Sequence, residues 1–197
     1  MKRMYLTEIL LNAAFCFKNR ITDDYSLHRV VYSMFPLEKQ AGRFLYADKG
    51  ARNGLRRVLV LSAVLPEIPA DVMGTTREIS DRFFSAPAYR FEILLNPVKC
   101  SAQTGKREPV LGQLPLLNYF TEKMTSWGFE AMPEKLEVRT LPSACFRRDG
   151  QECRFHRVKY SGILKITDPE KFRACFNAGI GHGKAFGFGL LQLVPIQ

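Results

Sequence analysis

Apolar residues fill both alternations of the first segment, Tyr5 to Phe17, with Glu8 as the exception, which predicts a long, largely buried strand. Asp23 and Asp24 then supply an N-cap, and Leu27, Val30, Val31 and Met34 recur at i, i+3, i+4 and i+7. That spacing predicts a helix over 25–35, ended by Pro36. A second stripe, Tyr25, His28 and Tyr32, is centred roughly 140° around the helix from the apolar one, at about 100° per residue. Tyr25 and His28 are therefore neighbours on a face that the core does not claim. Strands follow at 43–47 and 56–63, joined by a turn over 48–54 in which Asn53-Gly54 is the hairpin signal. Residues 66–84 give a weaker pattern: a short helix start at 71–73, then either weak helix or irregular strand over 75–84.

Ser85-Ala86-Pro87 reads as a junction, and after it the pattern begins again. A strand over 89–95 ends at Asn96-Pro97. A helix over 114–127 carries Leu117, Phe120, Met124 and Trp127 and closes at Gly128. Strands are predicted at 136–141 and 154–166. Asp168-Pro169-Glu170 starts a helix with an N-cap and an N1 proline. That helix carries Phe172, Cys175 and Phe176, and the last strand is 189–194. Strand-helix-strand-strand-helix-strand is the split βαβ order, and the first half repeats it more loosely. The fold class is therefore α+β, two tandem ferredoxin-like (RRM-like) βαββαβ domains, with 1–86 as the first and 87–197 as the second.

Between the last helix and the last strand lies Gly179-Ile180-Gly181-His182-Gly183-Lys184-Ala185-Phe186-Gly187-Phe188-Gly189, with five glycines in eleven residues. Glycine loses the most backbone entropy on ordering, so this density implies close approach of the backbone, often to a phosphate. A Walker loop would need Gly at Ala178 and Ser or Thr at Ala185; neither is present. The dinucleotide fingerprint fails at Phe186, and it precedes a helix, whereas here the helix comes first. Gly181, His182, Gly183, Lys184 and Gly187 are the candidate backbone-phosphate contacts. Phe186 and Phe188 are expected to alternate into the core.

Composition narrows the partner. Lys and Arg outnumber Asp and Glu by 29 to 19, a net charge of +10, which favours a polyanion: nucleic acid first, anionic membrane second. A basic surface kept for solubility is the alternative. Arg147, Arg148, Arg154, Arg157 and Lys159, with His156, straddle a turn at Asp149-Gly150. Arginines flanking a turn suit the groove of an RNA stem, where shape and phosphates are read; a solvated hairpin is the competing reading. Lys99, with Lys106 and Arg107, is a weaker candidate of the same kind. The five cysteines form no C-x-x-C pair, and Cys153 and His156 lack further ligands, so no metal site or disulfide framework is expected. The cysteines read as reduced, in a cytoplasmic protein. Glu8 and Asn12 interrupt the N-terminal apolar run, which argues against a signal peptide, and no stretch is long enough to span a bilayer. A soluble chain with no membrane role is expected.

Four stretches together resemble the CasE family, the CRISPR repeat-processing endoribonucleases of type I-E systems. They are Met4-Tyr5-Leu6, Tyr25-Ser26-Leu27-His28 with Phe35-Pro36, Asn96-Pro97-Val98-Lys99, and the closing glycine segment through Leu190-Leu191. The resemblance spans effectively the whole chain, in order. It implies metal-independent, cofactor-free cleavage of precursor CRISPR RNA at the repeat hairpin. The upstream 2′-hydroxyl attacks the adjacent phosphate, leaving a 2′,3′-cyclic phosphate and a 5′-hydroxyl. It also implies that His28 is catalytic with Tyr25 as its partner, and that the enzyme retains its product as a subunit of the surveillance complex. Independently of any family, imidazole is suited to proton transfer near neutrality, with an unperturbed pKa of about 6.5. The alternative is a non-catalytic RNA-binding subunit, and the intact Tyr25/His28 pair is the feature that separates the two.

Overall fold

In the computed structural model, residues 3–36, 44–103, 105–148 and 150–196 are described. Of the positions named above, Arg43, Asp149 and the side chain of Arg148 lie outside the described residues. The first strand, β1, is Tyr5–Asn12 and buries Thr7, Ile9 and Leu11 on one face. It stops well short of Phe17. The Asn12 side chain accepts from the Phe15 backbone N–H at 2.8 Å and opens a short helix, α1, Ala13–Lys18. An apolar run of this length does not distinguish strand from helix, and here the cap decides it. Helix α1 buries only Phe15 and leaves Phe17 88% exposed.

Helix α2, Asp24–Ser33, begins in a capping box: Ser26 N–H donates to Asp23 Oδ1 at 2.7 Å, and Asp23 N–H to Ser26 Oγ at 3.0 Å. Its Leu27, Val30 and Val31, with Met34 beyond, are buried as the periodicity requires. They pack with Ile9, Leu11, Tyr46, Val58 and Val60. The hairpin β2, Phe44–Arg52, and β3, Leu55–Ser62, turns on two residues only, Asn53 (φ 52°) and Gly54 (φ 76°). Both central φ values are positive, the type I′ geometry that matches strand twist. The predicted turn over 48–54 is thus mostly strand, with a register break between Asp48 and Ala51. The weak stretch 66–84 resolves into an edge strand, β4, Met73–Glu78, and a 3-10 turn at Asp81–Phe84.

The second half starts with β5, Ala88–Leu95, followed by a small hairpin, β6, Val98–Cys100, and β7, Arg107–Pro109. Helix α3 is Gln113–Met124, and its buried residues are Leu116, Tyr119 and Phe120. Met124 and Trp127 only fringe that core. The strand after this helix is β8, Phe129–Ala131, rather than 136–141. The predicted strands at 136–141 and 154–166 are parts of one long ribbon: β9, Glu137–Arg148, against β10, Gln151–Ile166. Helix α4, Pro169–Ala178, is capped by Asp168 as expected, and β11, Gln192–Ile196, closes the chain.

The sheets run β4-β1-β3-β2 and β11-β5-β10-β8, all antiparallel. Numbered within each half, both are 4-1-3-2, the ferredoxin-like order. The first half lacks its second helix, because residues 63–72 cross between β3 and β4 without one. Alternation along β2 and β3 sends Tyr46, Val58 and Val60 toward α2, and Leu45, Ala47 and Leu61 toward the second half's core. Among the described residues no helix is long and apolar enough to cross a membrane.

Candidate active site

Helix α2 turns its apolar face to the sheet, which leaves Tyr25, His28, Arg29 and Tyr32 on the opposite side. These four residues, with Ala185 and Phe186 of the glycine segment, line a cavity of about 410 Å³. The segment reaches α2 because it is not a strand. Lys184–Phe186 is a 3-10 turn between Gly183 and Gly187, both left-handed. An added Cβ at Gly183 would meet the Phe188 and Phe155 rings at 3.1 and 3.2 Å. At Gly189 a Cβ would stand 2.3 Å from the Ile180 carbonyl oxygen, where Ile180 N–H donates to Gly189 O at 2.9 Å. The glycines thus let the segment fold tightly on itself.

The expectation that Phe186 alternates into the core is corrected. Phe188 is fully buried, but Phe186 faces the cavity, with its ring centroid 5.6 Å from the His28 ring at 63°. Glycines on both sides of Phe186, at 183, 187 and 189, break strand alternation, and that is the available signal. Tyr25 stacks on Phe146 of β9 at 5.8 Å and 9°, and His28 lies 5.7 Å from Tyr32 and 6.2 Å from Phe44. Phe146 and Phe44 join the site through tertiary packing, which no sequence pattern marks, whereas Arg29 joins it on α2 itself, beside His28.

Beneath the first turn of α2 lies a polar group. Tyr46 Oη donates to the Asp24 carbonyl at 3.2 Å, and Asp48 pairs with Arg56 at 2.6 Å. Burial raises the Asp24 carboxyl above its ordinary range, and the nearby Arg157 guanidinium pulls it the other way. Burial also pushes the Tyr46 phenol far up.

The remaining candidates scatter. Arg147 and Arg154 are exposed near the ribbon tip, Arg154 beside Cys145. Lys159 Nζ reaches Glu92 Oε2 at 2.8 Å, and Lys99 sits 3.7 Å from Glu122 on the α3 side. Lys184 Nζ donates to the Ala178 carbonyl at 2.8 Å, where it meets the negative end of α4. Gly181 and His182 are exposed; partial burial, then Arg107, Lys184 and Lys123, lower the His182 pKa. Gly187 is buried over the Tyr46 ring. His156 donates its backbone N–H to Asn96 Oδ1 at 3.0 Å.

A larger groove of about 810 Å³ separates the two sheets. Its described lining holds Lys, Arg and Glu but no His, Cys or Tyr, and Lys49 and Glu92 there are ion-paired at 2.5 Å. The smaller cavity holds an imidazole, two phenols and a guanidinium along one side of α2, a set able to bind an anion and move a proton beside it.

The chain is similar to known proteins over nearly its whole length. Residues 4–195 match the family model described as CRISPR associated protein. The CRISPR-associated endoribonuclease Cse3 of Thermus thermophilus is 29% identical over 219 aligned positions, covering 98% of this chain and 100% of that protein. The CRISPR system Cascade subunit CasE of Escherichia coli K12 is 27% identical over 207 positions, covering 98% and 100%. The solved structure of CRISPR endoribonuclease Cse3 bound to a 19-nucleotide RNA superposes with a TM-score of 0.82 at 25% identity, over 98% of this chain and 100% of that one.

Proposed function

The chain belongs to the CRISPR associated protein family, and from that premise we propose that it is a metal-independent endoribonuclease that cleaves precursor CRISPR RNA within the repeat hairpin. It then keeps the mature RNA as a subunit of a cytoplasmic surveillance complex. The names of the two relatives, an endoribonuclease and a Cascade subunit, support both halves of this reading. The observation that carries it is the cavity that gathers Tyr25, His28 and Arg29 on one helical face.

In the reaction, a base removes the 2′-hydroxyl proton as the 2′-oxygen bonds to the adjacent phosphorus. The bond from phosphorus to the 5′-oxygen breaks, and that oxygen takes up a proton. The products are a 2′,3′-cyclic phosphate and a 5′-hydroxyl. His28 serves one of the two proton transfers, a contribution of about 10²–10⁴-fold. Tyr25, one turn earlier, hydrogen-bonds the phosphate or the nucleophile. Arg29 faces the charge that builds on the non-bridging oxygens. The RNA is gripped by Arg147, Arg148, Arg154, Arg157, Lys159 and Lys99, and by Gly181, His182, Gly183 and Lys184, while Gly187, buried over Tyr46, packs the segment instead. Arg147 and Arg154, exposed near the ribbon tip, are the first to test. Residues 1–86 and 87–197 form the two domains, the first carrying the catalytic helix.

The test uses a labelled repeat hairpin in excess chelator. The expected result is one cut, with a 2′,3′-cyclic phosphate on the upstream product. A single 2′-deoxy nucleotide upstream of the cut is expected to abolish cleavage while binding persists. Cleavage of the deoxy substrate, or loss of cleavage in chelator, contradicts the mechanism.

A further inference from the structure

We propose that Phe186 and Phe146 are positioning residues that hold the His28 imidazole and the Tyr25 phenol in working geometry from outside the catalytic helix. The inference rests on the cleavage reading above and adds to it a source for the precision of the site. Tyr25 and His28 stand on a face of α2 that the first half's core does not support. His28 has two ring neighbours in the first half, Tyr32 at 5.7 Å and Phe44 at 6.2 Å, and both His28 and Tyr25 take a further ring partner from the second half. Phe186 meets His28 edge-on at 5.6 Å, and Phe146 stacks flat on Tyr25 at 5.8 Å. The two phenylalanines lie 4.7 Å apart. Phe155 touches both, at 5.2 and 5.6 Å, and continues to Phe188 at 5.6 Å, which is fully buried. A continuous ladder of rings therefore ties the imidazole to a fully buried ring of the second half. Offset and edge-on ring contacts are directional, so they select one orientation of each side chain.

The ribbon's register joins this ladder to the cationic surface. Ala144 and Phe146 on β9, with Cys153 and Phe155 on β10, share the packed face. Cys145 and Arg147, with Glu152 and Arg154, take the other, exposed face. Phe146 is flanked in sequence by the outward Cys145 and Arg147, so any ligand that seats Arg147 and Arg154 also sets how Phe146 presses on Tyr25. The arrangement couples RNA seating to catalytic geometry.

The test compares wild type, Phe186→Leu and Phe186→Tyr, with Phe146→Leu read in the same way through Tyr25. Phe186→Met stands in if the leucine variant does not fold. Three readouts are taken on the full chain: RNA affinity, single-turnover cleavage, and the carbon-bound imidazole proton shifts of His28. Only three histidines crowd that region of the spectrum. Phe186→Leu is expected to bind RNA within about threefold of wild type while its cleavage rate falls roughly 10–100-fold, as small misplacements of reacting groups do. Its His28 signals are expected to move as the ring current is lost, and Phe186→Tyr is expected to restore both. Wild-type cleavage by Phe186→Leu overturns the proposal. So does a rate loss matched by an equal loss of binding that tyrosine does not repair, since that is a structural defect. A wild-type chain that does not cleave, or His28→Ala cleaving normally, sinks the underlying reading and this inference with it.

Discussion

Gly189→Ala tests whether the glycine segment is dense in glycine for packing. At φ 83° a side chain enters the left-handed region, which costs about 1–2 kcal/mol. The added Cβ would also lie 2.3 Å from the Ile180 carbonyl oxygen, so the backbone must move. Movement breaks or stretches two hydrogen bonds, Ile180 N–H to Gly189 O at 2.9 Å and Gly189 N–H to Leu94 O at 2.8 Å. Each buried group left unmatched adds about 1–2 kcal/mol, for a total of about 3–6 kcal/mol. For a chain of this size that lowers the melting temperature by about 10–20 °C. Gly50→Ala is the internal control. It has φ 76° and nothing within 4 Å of the added Cβ, so it carries only the conformational cost of about 1–2 kcal/mol. Equilibrium urea unfolding of both variants gives the difference directly. If Gly189→Ala lies within about 1 kcal/mol of Gly50→Ala, the close-approach account of the segment is wrong.

Three further outcomes are expected. His182 holds a folded-state pKa below its unfolded value, so the unfolded chain binds the extra proton and stability is lost as pH falls through about 6.5. The loss is small because the ring is exposed, and His182→Gln should flatten it; a wild-type profile as flat as the variant's between pH 7 and about 5 refutes the sign. Burial pushes the Cys175 thiol up to about 12, so at pH 8 roughly one part in ten thousand is thiolate. Thiol labelling should modify exposed Cys100 and Cys145 at least about 100-fold faster, and equal rates would contradict that environment. Arg147→Ala with Arg154→Ala should lower the slope of log affinity against log salt by about 1.4–1.8, since each lost phosphate contact removes about 0.7–0.9; an unchanged slope removes the ribbon from the RNA surface.

Much of this molecule is legible in residue pattern because local and tertiary preferences agree there. The α2 helix is such a case: its cap, its apolar stripe and its polar stripe sit on three separable sets of positions. The alternation of strands with α2, α3 and α4 is legible for the same reason, as is the Asp168 cap of α4, whereas α1, β6, β7 and β8 are not. Disagreement arose where a short element had too few residues to show a period. Residues 13–18 and 129–131 are both short segments whose conformation is decided by a cap or by a neighbouring strand. The ribbon's length was underestimated because its tip has no sheet beneath it and keeps a mixed, basic composition. At the site, Tyr25 and His28 stand out because they occupy a face with no apolar reason to exist. Phe186, Phe146 and Phe44 carry no such mark. Phe186 and Phe146 are ordinary apolar residues until the second half packs against α2, and Phe44 until β2 packs beside that helix; neither contact is encoded in any local period.

The most direct measurement of the central claim is single-turnover cleavage of the repeat hairpin RNA by wild type and His28→Ala, both in excess chelator, with RNA affinity measured on the same preparations. Wild type is expected to cut at one site. His28→Ala is expected to bind the hairpin within about threefold of wild type and to cut it about 10²–10⁴-fold more slowly, the range for loss of a positioned acid–base group. A variant that binds and cleaves at the wild-type rate would take the chemistry away from α2 and its cavity.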